Sequence, residues 1–122
     1  MPAIAKLRVF ALDCADPLGV AEFYSKITGW AVDRDDGEWV ELRSDGGATL
    51  AFQLAPDHVP PIWPSAEHPQ QAHIDFSVDD LDAGEAAVIA AGARKTEIQP
   101  DPDSWRVYLD PAGHPFCLVL HD

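Results

Sequence analysis

His73 and Asp75 stand two residues apart in the alternating run AHIDFSV, a spacing that puts both side chains on one side of a strand. A near-neutral imidazole there can ligate a metal, act as a general acid or base, or serve only as a hydrogen-bonded part of the fold. All three readings are open at this level. Cys117, in FCLVL, is a nucleophile candidate if a histidine activates it as thiolate, set against the reading of a small hydrophobe in an apolar strand. Cys14 lies far from it in sequence and no C-x-x-C pair occurs, so the thiols read as two reduced cysteines with no disulfide and no zinc or redox motif. His58, His68, His114 and His121 show no ligand spacing and read as connector, turn and surface residues. Trp39, Trp63 and Trp105 are the aromatic candidates for the wall of a small-molecule site.

The chain that must position these groups has 122 residues, enough for one domain with an apolar core. Its formal charge of −13 disfavours nucleic acid and anionic membrane as partners and favours cationic ligands. No apolar run is long enough to span a bilayer and the first residues lack a secretion pattern, which suggests a cytoplasmic location.

Two similar patterns divide the sequence. Residues 4–13 alternate as a strand; Asp16 caps a helix that admits Pro17 in its first turn, carries Val20, Phe23, Tyr24 and Ile27 on one face, and ends at Gly29. Strands near 30–34, 38–43 and 48–54 follow, separated by Asp-Gly turns. A proline-rich connector spans 55–70. The pattern then restarts: a strand over 71–78, a helix over 80–91 ended by Gly92, and strands near 93–98, 104–109 and 115–121. Both units read βαβββ, module 1 at about 4–54 and module 2 at about 71–122. Aligned, Asp16 meets Asp80, Val9 meets His73, Trp39 meets Trp105, Leu42 meets Tyr108, Gly47 meets Gly113 and Ala51 meets Cys117, the marks of a duplicated module.

These residues resemble the vicinal oxygen chelate superfamily, which comprises glyoxalases, bleomycin-resistance proteins and extradiol dioxygenases. The carriers are Asp16 with Phe23-Tyr24 and Gly29-Trp30, the stretch HIDFSVDDLD, and DPAGH at 110–114. PPIWP with DPAGHPFCLVL is similar to the glyoxalase-like domain subgroup. The resemblance implies an α+β fold in which two tandem βαβββ modules form an open, bowl-like mixed sheet with helices outside and the ligand inside. Strand parity then turns Val9, Asp13, Trp39, Glu41, Ala51 and Gln53 inward from module 1, and His73, Asp75, Ser77, Trp105, Val107, Cys117 and Val119 from module 2.

Metal-using members take ligands from four positions that correspond here to Val9, Ala51, His73 and Cys117. Two of those side chains have no donor, whereas a catalytic zinc takes three protein ligands and a ferrous oxygenase site two histidines and a carboxylate. The expectation is therefore no metal or other cofactor, with a divalent metal at His73 as the alternative. The favoured function is a metal-independent binding protein of the sequestration or resistance type, holding an aromatic or cationic small molecule against His73, Trp39, Trp63, Trp105, Asp13, Gln53, Asp75 and Cys117. One rival is an isomerase, lyase or dioxygenase of the superfamily using His73, Asp13, Asp75 or Glu41 to move protons. The other is an interaction domain with a vestigial cavity. The resemblance and the open strand edges imply a homodimer.

Overall fold

The computed structural model describes residues 3–46 and 49–120. The chain divides into two compact units, Met1–His58 and Val59–Asp122, so the proline-rich connector from Val59 onward belongs with the second βαβββ module and its first four residues with the first. Gly47 and His121 lie outside the described residues.

In the first unit, β1 (Phe10–Cys14) leads to α1 (Pro17–Thr28), then β2 (Ala31–Asp35), β3 (Trp39–Arg43) and β4 (Thr49–Leu54). The sheet order is β1-β4-β3-β2, with β1 parallel to β4 and the other pairs antiparallel. Asp16 caps α1 by accepting from the Gly19 amide at 3.2 Å, and Gly29 closes it at φ 76°, a left-handed conformation that glycine adopts at little cost. The apolar stripe expected of this helix is buried through Val20, Phe23 and Tyr24, with Tyr24 stacked on Phe52 at 5.5 Å between ring centres.

The second unit repeats the plan: β5 (Ile74–Val78), α2 (Leu81–Ala91), β6 (Arg94–Lys95), β7 (Trp105–Leu109) and β8 (Pro115–Leu120), in the order β5-β8-β7-β6. Asp80 caps α2 by accepting from the Ala83 amide at 3.1 Å. Tyr108 stacks on Phe116 at 5.6 Å, and Phe76 meets the same ring edge-on at 6.0 Å. No helix among the described residues is long and apolar enough to cross a membrane.

Three strands are shorter than their sequence patterns. The alternation over 4–13 yields a strand only from Phe10, and Ile4 and Leu7 are exposed. The partner of β1 is β4, which begins at Thr49, and the pairing of the two strands among the described residues begins with Phe10 opposite Leu50. The run over 71–78 likewise yields β5 only from Ile74, since Ile74 faces Phe116 and the preceding partner, Pro115, has no N–H to give. The strand expected over 93–98 stops at Lys95. Beyond it the Gln99 side chain takes over, donating to the Val107 carbonyl at 2.8 Å and accepting from the Val107 amide at 2.9 Å.

Candidate functional site

Register fixes which side chains share a face. In the second sheet Asp75 is opposite Cys117, and Cys117 opposite Val107; one pleat along, Ser77 is opposite Val119, and Val119 opposite Trp105. These two rows form one face of the sheet, as the strand parity implied. All of their residues but Ser77 line a cavity of about 330 Å³ together with His73, Trp63 and Gln70. Two indoles, two valines and the cysteine make an apolar wall, with Gln70, His73 and Asp75 as the polar groups.

Each polar and aromatic group is positioned from its own element. His73 sits just before β5 and its Nε2 lies 3.1 Å from Asp75 Oδ1; both side chains are open, 39% and 57% exposed. Trp63 is held by the connector, where the Ile62 amide donates to the His68 carbonyl at 2.7 Å and the Ser65 amide to the Ile62 carbonyl at 2.6 Å. The connector is in turn packed on the turn at 110–114. Gly113 has φ 88°, and a Cβ there would come within 2.6 Å of the Pro60 side chain. That turn is built on buried Asp110, whose Oδ1 accepts from the Ala112 and His114 amides at 2.8 and 2.9 Å. DPAGH is thus a scaffold for the cavity wall, and His114 takes part through its backbone.

Cys117 is only 6% exposed. Burial, and then the neighbouring Asp75 carboxylate, push its thiol up to about 12. A thiol held protonated at neutral pH is a poor nucleophile, so the small-hydrophobe reading is the one the environment favours. Its donor atom, one on His73 and one on Asp75 nevertheless all lie within 4.8 Å of one another. No disulfide joins the two cysteines, and Cys14 is buried on the opposite parity, its thiol directed at the Gln53 carbonyl at 3.8 Å.

The corresponding face of the first sheet carries Ala11, Ala51 and Glu41 in one row and Asp13, Gln53 and Trp39 in the next. Trp39 and Gln53 line a recess of this unit with Asp36, Glu38, Leu54 and Pro56. Asp13 is exposed beside Gln53. Glu41 is buried, with Arg34 Nη1 3.7 Å from its carboxylate. The candidates named from sequence are therefore distributed: His73, Asp75, Trp63, Trp105 and Cys117 share the cavity of the second unit, while Trp39 and Gln53 share the recess of the first. Gln70 was not singled out from sequence; its place at the connector's end, three residues before His73, was the available signal.

The superfamily's ion can be tested against the donors present. Val9 and Ala51 offer none, so the four-position site does not fit this chain. Among the described residues the one grouping of three donor side chains is His73, Asp75 and Cys117, all in the second unit.

Comparison with known proteins agrees with this geometry. The family model described as Glyoxalase-like domain matches residues 9–119. The chain belongs to the glyoxalase-like domain family. Among solved structures, this glyoxalase-like chain is similar to a glyoxalase/bleomycin resistance protein/dioxygenase family enzyme from Burkholderia phytofirmans PsJN, with TM-score 0.72, 18% identity, and 95% of this chain and 98% of that one covered. It is also similar to a possible glyoxalase from Bacillus cereus (TM-score 0.69, 16% identity, 96% and 99% covered) and a glyoxalase-related enzyme from Fulvimarina pelagi (TM-score 0.67, 19% identity, 97% and 89% covered). At such identities the likeness establishes the α+β fold of two tandem modules and leaves the reaction open. No curated protein matches the sequence.

Proposed function

We propose that this glyoxalase-like protein is a small-molecule-binding protein whose cavity in the second unit takes a flat, cationic ligand without requiring a metal. The observation that carries this reading is the composition of the cavity: Trp63 and Trp105 on its wall, and Asp75 as the one lining residue of fixed charge. Indole faces attract cations through the ring quadrupole, and a carboxylate beside them supplies the counter-charge. The volume of about 330 Å³ suits a small organic molecule. The chain's charge of −13 reinforces the preference at longer range. Apolar wall and carboxylate together bind such a ligand by themselves, so no ion enters the step.

Tryptophan fluorescence titration tests this with three matched probes in the presence of a chelator: an aryl trimethylammonium, its neutral tert-butyl isostere and the corresponding carboxylate. The cationic probe should bind most tightly, and Asp75→Asn should remove most of its advantage over the neutral one. Equal affinity for all three would reject the cationic reading, and silence from every probe would favour the vestigial cavity. Chemical conversion of a probe would favour the enzyme.

A further inference from the structure

We propose that the cavity of the second unit selects planar cations that carry N–H groups, the amidinium and guanidinium class, over quaternary ammonium. The inference rests on the cationic reading above and narrows it to one ligand class. Gln70, His73 and Asp75 are the polar side chains of this cavity, and each presents a hydrogen-bond acceptor.

Asp75 only accepts. A carboxylate has about four acceptor directions, and His73 Nε2, 3.1 Å from Oδ1, takes up one of them. The Cys117 thiol beside it is kept protonated by burial, so Asp75 remains the single negative charge of the cavity. His73 becomes an acceptor through its contact with Asp75. In a neutral imidazole one nitrogen carries the proton; the carboxylate draws it to Nε2 and leaves Nδ1 with its lone pair. Gln70 adds its amide oxygen, and among the described residues no hydrogen bond within the protein engages that side chain. Trp63 and Trp105 contribute ring faces and one N–H each.

Such a set favours N–H over N-methyl. A quaternary ammonium meets the indole faces and the charge of Asp75, yet its methyl groups give the three acceptors nothing in place of the water they displace. An amidinium lies as flat as the rings and offers a carboxylate two parallel N–H bonds, with further N–H bonds for Nδ1 and the amide oxygen. Charge-assisted bonds of this kind are shorter and stronger than neutral ones.

The repeat supplies an independent observation. Gln70, His73 and Asp75 stand ten, seven and five residues before the capping Asp80; the same counts before the capping Asp16 reach Lys6, Val9 and Ala11, none of whose side chains accepts. One copy of the module carries the whole acceptor set and the other none of it, so the fold alone does not account for these residues.

Tryptophan fluorescence titration at about pH 8.5, where imidazole is neutral and amidines stay protonated, compares four phenyl probes that separate charge from N–H. These are benzamidinium, phenyltrimethylammonium, benzamide and tert-butylbenzene. Benzamidinium should bind about tenfold more tightly than phenyltrimethylammonium. Gln70→Leu, at a half-buried position, should reduce that preference about threefold and leave phenyltrimethylammonium affinity unchanged. Asp75→Asn should weaken both cations, and both variants should keep the wild-type unfolding midpoint. If phenyltrimethylammonium outbinds tert-butylbenzene but benzamidinium binds no more tightly than it does, the cationic reading stands and this inference is overturned. A preference indifferent to Gln70→Leu overturns it as well. Equal affinity for benzamidinium and benzamide would show that charge is not read, and the cationic reading would fall too.

Discussion

At the residue scale the site depends on what neighbours do to each group. Cys117 would be a ready nucleophile in a polar, electropositive setting; here burial and the Asp75 carboxylate oppose the thiolate and raise its pKa to about 12. Iodoacetamide at mildly alkaline pH should therefore label Cys117 in the folded chain roughly a hundredfold more slowly than in the unfolded chain, whose thiols titrate near their ordinary value. Peptide mapping by mass spectrometry reads this, and rapid native labelling would restore the nucleophile reading. His73 makes its contact with Asp75 at an open position, so little packing is lost on truncation. His73→Ala should leave the unfolding midpoint nearly unchanged while weakening the ligand; a large stability loss at constant affinity would assign it a structural part. Trp63 contributes a ring to the cavity from a loop fixed by its own backbone bonds. Trp63→Ala should cost about tenfold in affinity, equivalent to about 1.4 kcal/mol, with stability altered little. An unchanged dissociation constant would remove Trp63 from the site.

At the element scale the cavity wall is a strand whose outer neighbour is very short. β6 has two residues, and Val107, at the middle of β7, has its amide and carbonyl bonded by Gln99 instead of a longer strand. Gln99→Ala should destabilise the chain by about 1–3 kcal/mol, because it takes the acceptor from the Val107 amide at a buried residue, although the Val107 carbonyl keeps its Thr96 donors. Urea unfolding measures this, and no loss would mean that water replaces the amide. Behind the same strand, Glu85 of α2 accepts from the buried Tyr108 hydroxyl at 2.9 Å and meets Lys95 Nζ at 2.9 Å. The Lys95 contact, aided by Tyr108 and Arg106, holds its carboxyl below the usual range. Folding gains from the ionised carboxylate above the unfolded-state pKa and loses that gain as pH falls through the depressed folded value. The stability gap between wild type and Glu85→Gln, under about 1 kcal/mol for so open a pair, should shrink in acid. These elements also mark where sequence reading succeeded. Both helices were legible because caps and apolar spacing are local, as Asp16, Asp80, Gly29 and Gly92 illustrate. Strand ends were not, because an alternating run such as 4–9 says nothing about where its partner begins. The face assignment around Cys117 was legible through parity, whereas the closeness of Asp75 to Cys117 needed the register. Gln70 escaped notice because a connector has no period to read.

At the scale of the whole molecule, duplication and charge act on one site. The two sheets share register row for row, with Trp39 and Trp105 at equivalent places, yet the first unit has alanines at the positions where the second has a carboxylate and a thiol. A shared scaffold with unequal donors is what remains when a fold is kept and its chemistry is gathered into one copy. The surrounding charge of −13 then adds a long-range field that raises the local concentration of cations near Asp75. Such a field is screened over about 10 Å at moderate ionic strength, whereas contact between a bound cation, Asp75 and the indole faces is screened far less. Salt should accordingly act on arrival more than on escape. In stopped-flow fluorescence, raising sodium chloride from low to high concentration should slow association of the aryl trimethylammonium probe severalfold and leave its dissociation rate nearly constant, while association of the carboxylate probe should quicken. Equal salt response for the two probes would show that the net charge does not steer, leaving selectivity to Asp75 and the two tryptophans alone.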